Sequence, residues 1–303
     1  MKENTKKPDI PSLNLSPFIA GYMRLNEWGM SPQELLGFIE AHLDLGVTSV
    51  DHADIYGDYQ EEQLFGRALQ LKPDLRQRLQ LVSKCGIQLL STNRPENRVK
   101  HYNTSRAHII KSVENSLKNL HTDYLDLLLI HRPDPLMDLD EVALAFETLC
   151  DQGKVLHVGV SNFNPAQFEL LQSRLSMPLV TNQIEFSPFN LTVLEDGTLD
   201  YCQRLRLSPM IWAPLGGGRL FAGDDPRSQA VRSTLERLAE NYDAAGIDQL
   251  VLAWVMRHPS RPKPILGSRN LQRIASAVAA QNIELDRQDW FDILHAATGR
   301  DVP

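Results

Sequence analysis

The 303-residue sequence predicts an α/β fold, a single (β/α)8 TIM barrel over residues 17–303. Eight short apolar runs alternate with segments of helical periodicity, and no linker or change of composition interrupts them. Polar, reactive side chains follow several of the runs, which is typical of barrels because their active sites lie where the strands end. The length also suits one barrel, since this fold commonly takes about 250 residues or more.

The eight apolar runs are the predicted strands. The fourth run is almost continuously apolar, as expected for a strand that is covered on both faces. In chain order the runs are 18–20, 47–50, 79–83, 124–130, 155–160, 179–184, 209–212 and 264–266.

Capping signals mark the helices between these strands. Ser31, Pro32 and Glu34 predict a capping box with proline in the first turn, and Gly46 predicts the end of that helix. Asn164 and Pro165 repeat this helix start. Helical spacing predicts further helices over 64–71, 109–120, 139–150, 248–258 and 286–298. The last two are predicted to be additions to the eightfold pattern, and residues 1–16 to be a flexible N-terminal tail rather than a signal peptide.

The composition excludes several classes of function. A formal net charge of −7 and the lack of a basic run argue against a nucleic-acid partner. The longest apolar run is too short to cross a bilayer, so no membrane partner is expected. Three cysteines without metal-ligand spacing predict reduced thiols in a cytoplasmic protein and no zinc site. No apolar repeat indicates an obligate interface, so a monomer is predicted.

An acidic group follows the fourth predicted strand. It comprises Asp134, Asp138, Asp140 and Glu141. The segment lacks the glycine and the terminal glutamate of a calcium loop, so these residues are predicted to cap the next helix.

Four reactive side chains lie just past strand ends: Asp51 and Tyr56 after the second strand, Lys84 after the third and His131 after the fourth. Singly, each has an ordinary structural interpretation as a cap, an interface phenol, a solvated charge or a core group. Together they form a chemically sensible acid, because an ammonium beside a phenol makes the phenol proton available. Asp51 would balance Lys84, and His131 would orient a carbonyl oxygen.

Four motifs occur in order along the chain: Asp51-x4-Tyr56, Ser83-Lys84, Leu129-Ile130-His131-x-Pro133 and Gly159-Val160-Ser161-Asn162-Phe163. Together they resemble the aldo-keto reductase superfamily from Gly21 to about Arg273, and within it the bacterial branch related to the potassium-channel β-subunits. The resemblance implies NADP(H)-dependent reduction of an aldehyde or ketone. Tyr56 would be the general acid, Lys84 paired with Asp51 would lower the pKa of the phenol, and His131 would hydrogen-bond the carbonyl.

The resemblance also implies a nicotinamide site. Ser161, Asn162 and Gln183 match positions that hold the carboxamide, and Trp212 matches the aromatic residue on which the ring stacks. From the residues alone, the alternatives are a strand-end turn, a strand-end polar group and a core indole. The other positions that the resemblance assigns to the cofactor are Met23, Arg24, Asp51, Ala213, Pro214, Leu215, Gly216, Arg219, Ser268, Arg269, Asn270 and Arg273.

The segment after the eighth strand favours NADP(H) over NAD(H). Arg269, Arg273 and the Ser268 hydroxyl at a helix start suit a 2′-phosphate. The sequence departs from many relatives, which carry lysine where Gly267 stands and a polar adenine contact where Ala277 falls.

Residues 216–218 are a glycine run whose amides could approach a pyrophosphate, with Arg219 near, although such runs are often plain loops. No G-x-G-x-x-G follows a predicted strand, so a Rossmann domain is not supported.

Trp28, in the loop after the first strand, is predicted to form a wall of the substrate pocket. Two other functions stay open on the sequence. Lys84 could be the Schiff-base nucleophile of a barrel aldolase. The same residues could also serve a cofactor-sensing binding protein with slow turnover, like the channel β-subunits.

Overall fold

The computed structural model describes residues 13–303 and shows a closed barrel of eight parallel strands. The predicted (β/α)8 fold is therefore confirmed, and every predicted strand is present. A two-stranded antiparallel hairpin lies outside the barrel. The strands are β1 (Ile19–Gly21), β2 (Ser49–Asp51), β3 (Gln80–Cys85), β4 (Ile87–Gln88), β5 (His101–Tyr102), β6 (Leu125–Ile130), β7 (Val155–Ser161), β8 (Leu179–Glu185), β9 (Met210–Trp212) and β10 (Lys263–Leu266).

Helices follow the barrel strands, joined by shorter 3-10 segments at Pro73–Arg78, Gly216–Gly218 and Ala280–Asn282. The helices are α1 (Leu25–Trp28), α2 (Pro32–Asp44), α3 (Tyr56–Tyr59), α4 (Glu61–Leu71), α5 (Arg106–Leu120), α6 (Leu139–Asp151), α7 (Pro165–Gln172), α8 (Thr192–Glu195), α9 (Thr198–Leu205), α10 (Arg219–Ala222), α11 (Pro226–Ala239), α12 (Ile247–Met256), α13 (Leu271–Ala279) and α14 (Arg287–Thr298). Capping boxes begin α2 at Ser31 and α7 at Asn164, as predicted.

The two faces of each barrel strand pack into different apolar layers. In β6, Leu127 and Leu129 belong to the apolar cluster of the barrel interior, whereas Leu128 and Ile130 pack in the cluster that includes the surrounding helices. The alternation follows from the period of two in a strand. It leaves the carboxyl ends of the strands free to carry polar groups.

The predicted boundary of the N-terminal tail is wrong for residues 13–16. Leu15 is 5% exposed and belongs to the interior cluster, and Ser16 is buried. The Ser16 hydroxyl accepts hydrogen bonds from the backbone N–H groups of Thr48 (3.2 Å) and Ser49 (3.0 Å). These residues are thus part of the barrel, because they cover its apolar interior at the end where the strands begin. The rest of the predicted tail, residues 1–12, lies outside the described residues.

The prediction that the helix over 248–258 is an addition to the eightfold pattern is wrong. Helix α12 lies between β9 and β10 in the chain and contacts β10 and α13, so it belongs to the ring of helices. The longer helices α11 and α14 are additions to that ring, and they pack against each other. Trp254 of α12 and Trp290 of α14 stack with ring centroids 5.0 Å apart, and each indole N–H donates to the other residue's carbonyl at 3.0 Å. This reciprocal pair fixes α14 to the barrel.

No helix between residues 13 and 303 is both long enough and apolar enough to cross a membrane.

Candidate active site

The four predicted catalytic residues meet at the carboxyl ends of neighbouring strands. Asp51 ends β2, Lys84 is the penultimate residue of β3, and His131 directly follows β6. The barrel order places β2, β3 and β6 side by side. Tyr56 reaches the same place from the loop after β2, because its ring lies near both Lys84 and His131.

Lys84 is completely buried and held by a carboxylate. Its Nζ donates to both oxygens of Asp51, at 2.7 and 2.8 Å, and to the His52 carbonyl at 2.8 Å. Gln183 Nε2 also donates to Asp51 Oδ1 at 2.7 Å. Burial lowers the pKa of Lys84, and the Asp51 carboxylate opposes that shift. With an acceptor for each of its three hydrogens, the group is held as an ammonium.

This geometry disfavours the aldolase interpretation. A Schiff-base lysine needs a free amine lone pair that faces the substrate. All three hydrogens of Lys84 Nζ are committed to acceptors in the barrel wall, so no lone pair is available for attack.

Tyr56 is a protonated phenol at neutral pH. The Lys84 Nζ lies 4.9 Å from the Tyr56 ring centroid, and the His131 ring meets it edge-on at 5.9 Å. The expected lowering of the phenol pKa is not found. Burial raises the pKa of Tyr56 well above its usual value, Asp51 and Glu61 raise it further, and Arg132 opposes the rise. The sequence could not show this, because the burial of the phenol is a property of the assembled fold.

His131 is a neutral imidazole. Burial lowers its pKa well below the usual value, and the cations Lys84, Arg132 and Lys100 lower it further. Its Nδ1 is buried and makes no hydrogen bond to any residue that the structure describes. A neutral ring beside the phenol can donate a hydrogen bond without competing as the proton source.

A left-handed turn follows the phenol directly. Gly57, Asp58 and Tyr59 have φ angles of 52°, 57° and 68°, a costly conformation for the two residues that carry side chains. The loop between β4 and β5 holds this turn, since Asn93 Nδ2 donates to the Asp58 carbonyl at 2.9 Å and the Leu89 N–H donates to the Tyr59 hydroxyl at 2.8 Å. These contacts support the position of the residue that begins the turn.

The residues predicted to hold the carboxamide are joined in one network. Asn162 Nδ2 donates to Ser161 Oγ at 2.8 Å, and Ser161 Oγ donates to the Gln183 carbonyl at 2.9 Å. The Trp212 indole N–H donates to Asn162 Oδ1 at 3.0 Å. Asn162 has a φ of 63°, which turns the chain away from β7 and presents its amide at the mouth.

The predicted pyrophosphate loop continues from β9. Ala213, Pro214 and Leu215 lead into residues 216–218, where all three glycines have positive φ angles. A Cβ atom on Gly216 would lie 2.4 Å from the Phe189 ring, whereas nothing lies within 4 Å of one on Gly217 or Gly218. The backbone at these last two glycines is therefore open to a ligand.

Arg219, which was predicted to lie near a pyrophosphate, is bound to side chains of its own loop and of α11. Its guanidinium donates to both oxygens of Asp225, at 2.8 and 3.2 Å, and to the Ser228 hydroxyl at 3.1 Å. Asp225 is also the N-cap of α11. In this structure the arginine therefore shapes the loop through an ion pair with Asp225.

The predicted phosphate segment begins α13. Asn270 caps this helix by accepting from the N–H groups of Gln272 (2.9 Å) and Arg273 (3.2 Å), and its own N–H donates to Ser268 Oγ at 3.2 Å. Arg269 and Arg273 are exposed at the same helix start. The segment therefore presents two cations at the positive end of a helix, which suits a phosphate group.

Arg24 places a positive charge near Gly267, the position where many relatives carry lysine. The guanidinium of Arg24 lies 4.0 Å from where a Cβ atom on Gly267 would be. Arg24 and its neighbour Met23 are both exposed. A positive charge thus stands beside position 267 although the chain carries no side chain there.

Trp28 does not join the catalytic cluster. Its ring packs against Tyr22 and Phe38, with centroids 5.5 Å from each, and its carbonyl accepts from Arg269 Nη1 at 3.0 Å. It lines a groove of about 620 Å³ between α2 and the start of α13. The prediction that Trp28 walls the substrate pocket is not supported by these contacts.

Two residues near the site were missed by the sequence reasoning. Arg132 directly follows His131, and its guanidinium lies 5.5 Å from the centroid of the Trp212 ring. Asp54 lies inside the Asp51-x4-Tyr56 motif, and burial raises its pKa to about 8. Their positions within two of the motifs were the signal that could have found them.

The acidic group after β6 has structural partners. Asp138 caps α6 by accepting from the N–H groups of Asp140 and Glu141, as predicted. Asp134 instead accepts from the Thr104 hydroxyl at 2.9 Å. Across residues 13–303 no group of three or more His, Cys, Asp or Glu side chains is arranged to hold a metal ion.

The family model described as Aldo/keto reductase family matches residues 17–297. The chain is 58% identical to Oxidoreductase YdhF of Escherichia coli over 288 residues, which is 95% of each chain. It is 44% identical to a 6-dehydroglucose reductase of Agrobacterium fabrum, over 96% of this chain and 97% of that one. Among solved structures it is similar to the thermostable aldo-keto reductase Tm1743 in complex with the inhibitor epalrestat, with a TM-score of 0.78, 26% identity and coverage of 94% and 96% of the two chains.

Proposed function

The chain belongs to the aldo/keto reductase family, and we propose that it reduces an aldehyde or ketone to the alcohol with NADP(H) as cofactor and Tyr56 as general acid. The observation that carries the proposal is the buried Asp51–Lys84 ion pair beside a protonated Tyr56. The relatives named 6-dehydroglucose reductase support reduction of a carbonyl as the reaction. A small-molecule substrate, a monomeric state and a cytoplasmic location remain predictions from the sequence.

The residues at the mouth fit a nicotinamide nucleotide. The network of Ser161, Asn162 and Gln183 offers amide and hydroxyl groups for a carboxamide, and Trp212 offers an aromatic face. The open glycines at 217 and 218 suit a pyrophosphate. Three exposed cations support NADP(H) over NAD(H): Arg24, Arg269 and Arg273.

The bound cofactor would supply the hydride to the carbonyl carbon. Tyr56 donates its phenolic proton to the carbonyl oxygen, and its raised pKa keeps that proton in place at neutral pH until the oxygen becomes basic. His131 orients the oxygen by a hydrogen bond from its neutral ring. Lys84 stabilises the phenolate that remains, because its ammonium lies 4.9 Å from the ring centroid.

Replacement of the phenol tests the catalytic assignment. We expect Tyr56→Phe to lower kcat for aldehyde reduction by at least about 100-fold, since general acids contribute about 10²–10⁴ to the rate. The dissociation constant for NADPH, measured by quenching of tryptophan fluorescence, should stay near that of the wild type. Tyr124→Phe is the matched control, because Tyr124 precedes β6 at the opposite end of the barrel.

Wild-type turnover by Tyr56→Phe would overturn the role of this residue. The same titration with NADH tests the choice of cofactor, and equal affinities would contradict a phosphate site at Arg269. Tight NADPH binding with no reduction of any aldehyde by the wild type would favour the cofactor-sensing function instead.

A further inference from the structure

Arg132 is a cation of the site with no counter-ion among residues 13–303. It is half-buried at the carboxyl end of β6, next to His131, and its guanidinium carbon lies over the Trp212 ring at 5.5 Å. No carboxylate among residues 13–303 lies within ion-pair distance of it. Two other cations at the mouth are neutralised, Lys84 by Asp51 and Arg219 by Asp225. The charge of Arg132 is thus not balanced by any carboxylate in the part of the chain that the structure describes.

The position of Arg132 is fixed by the residues around it. Asn162 Nδ2 donates to the His131 carbonyl at 3.3 Å, and Asn162 Oδ1 accepts from the Trp212 indole at 3.0 Å. The His131 N–H donates to the Cys85 carbonyl at 2.9 Å. The backbone before Arg132 and the ring beneath its side chain are therefore tied together. A guanidinium that rests on a fixed aromatic ring is partly ordered before a ligand arrives, which lowers the entropy cost of binding.

Cations lie close enough to His131 to lower its pKa, although the whole chain carries a net charge of −7. The exposed Lys100 faces His131 as well, and it too has no ion-pair partner in the part of the chain that the structure describes. The planar fork of an arginine matches the two oxygens of a carboxylate or phosphate.

We propose that Arg132 binds an anionic group on the carbonyl substrate, a carboxylate or a phosphate, and so selects charged aldehydes over neutral ones. The proposal rests on the carbonyl reduction proposed above, because the anion would be held one residue away from the side chain that orients the carbonyl oxygen. Arg132 is then a specificity-determining residue of the site.

A pair of substrates of similar size tests the selectivity. The ratio of kcat/KM for 4-formylbenzoate to that for 4-methylbenzaldehyde is measured in the wild type, Arg132→Met and Arg132→Lys. We expect Arg132→Met to lower the ratio by about 10- to 100-fold, the value of a hydrogen-bonded charge pair, mainly through KM. Arg132→Lys should recover part of the ratio, since it keeps the charge but loses the fork.

Arg204→Met is the matched control, because Arg204 also lies over an aromatic ring, 4.7 Å from the Tyr201 centroid, but on the exposed face of α9. It should leave the ratio unchanged. A ratio in Arg132→Met equal to that of the wild type would overturn the proposal.

Binding of benzoate separates this proposal from the proposed function, since benzoate has an anion but no reducible carbonyl. Calorimetric titration of the NADP-loaded protein should give a dissociation constant at least about 10-fold weaker in Arg132→Met than in the wild type. If no aldehyde is reduced but this difference is found, carbonyl reduction fails and the anion site stands. Equal affinities would show that Arg132 binds no anion, whatever the enzyme reduces.

Discussion

The carboxyl group of Asp54 is buried in the folded protein. The Ser112 hydroxyl donates to its Oδ2 at 2.6 Å, and its Oδ1 is buried without a partner among residues 13–303. Burial raises the pKa of Asp54 to about 8, and the nearby Glu62 contributes in the same direction. The group is therefore protonated in the folded protein at neutral pH.

This shift makes stability depend on pH. The usual pKa of the side chain is 3.8 and the folded value is about 8, so between these values the unfolded chain is ionised while the folded chain keeps the proton. Raising the pH through this window therefore lowers the free energy of unfolding. We expect Asp54→Asn to remove that loss and to be more stable than the wild type at about pH 8, by at least about 1 kcal/mol, with a smaller difference at about pH 5.

Urea unfolding of both proteins at the two pH values measures this effect. Asp123→Asn is the control, because Asp123 is exposed and should give the same difference from the wild type at each pH. A difference for Asp54→Asn that does not change with pH would mean that the carboxyl is ionised in the folded state.

The sequence predicted which polar side chains meet at the barrel mouth better than it predicted their surroundings. Asp51, Lys84 and His131 could be found because they follow apolar runs, and strand ends in a barrel meet at one mouth. The ion pair of Arg219 and the packing of Trp28 could not, because these side chains lie in loops whose course is set by tertiary contacts. The position of a residue in a loop does not determine which way its side chain turns.

Among the helices, α4 approaches the backbone of α5 closely at Gly66. A Cβ atom on Gly66 would lie 1.9 Å from the Asn119 carbonyl oxygen, a backbone atom of α5 that cannot turn aside. Gly37 in α2 is also helical, but nothing lies within 4 Å of a Cβ atom there. The two glycines therefore differ in packing while sharing a helical backbone.

We expect the same substitution to have opposite effects at these two glycines. Gly66→Ala should lower the free energy of unfolding by about 1–3 kcal/mol, because α4 must move away from α5. Gly37→Ala should raise it by up to about 1 kcal/mol, since alanine favours an exposed helix. Thermal and urea unfolding measure both. A Gly66→Ala protein as stable as Gly37→Ala would contradict the close approach of the helices.

Strands were predicted more completely than helices, for a physical reason. Each barrel strand is buried and leaves an apolar run in the sequence, whereas the strand β5 is exposed at His101 and Tyr102 and leaves none. Helix α11 is largely polar and was missed, so α12 was taken as an addition to the fold when it is the ring helix before β10.

Residues that close the apolar interior and residues of the candidate active site lie at opposite ends of the barrel axis. The apolar interior is closed by Leu15 at the end where the strands begin, and the polar cluster of Lys84 and Tyr56 lies at the other end. Changes at the closed end should therefore alter folding and leave the reaction intact.

Leu15→Ala tests this separation. We expect it to lower the free energy of unfolding by about 2–5 kcal/mol, because it opens a cavity in the interior. At a temperature where the protein stays folded, kcat/KM should match that of the wild type. Leu136→Ala is the control, since Leu136 is 91% exposed, and it should change stability by less than about 0.5 kcal/mol. Loss of kcat/KM in folded Leu15→Ala would show that the two ends are coupled.

The paired indoles of α12 and α14 give the molecule a built-in optical probe. Trp254 and Trp290 are two of the four tryptophans, and parallel rings this close couple their electronic transitions. Their circular dichroism in the near ultraviolet therefore follows the docking of the C-terminal helix. Trp212, at the mouth, belongs to neither helix, so we expect its emission to change if the proposed cofactor binds there. We therefore expect that loosening of the C-terminal helix and occupancy of the proposed cofactor site can be followed by two different signals in one unlabelled sample.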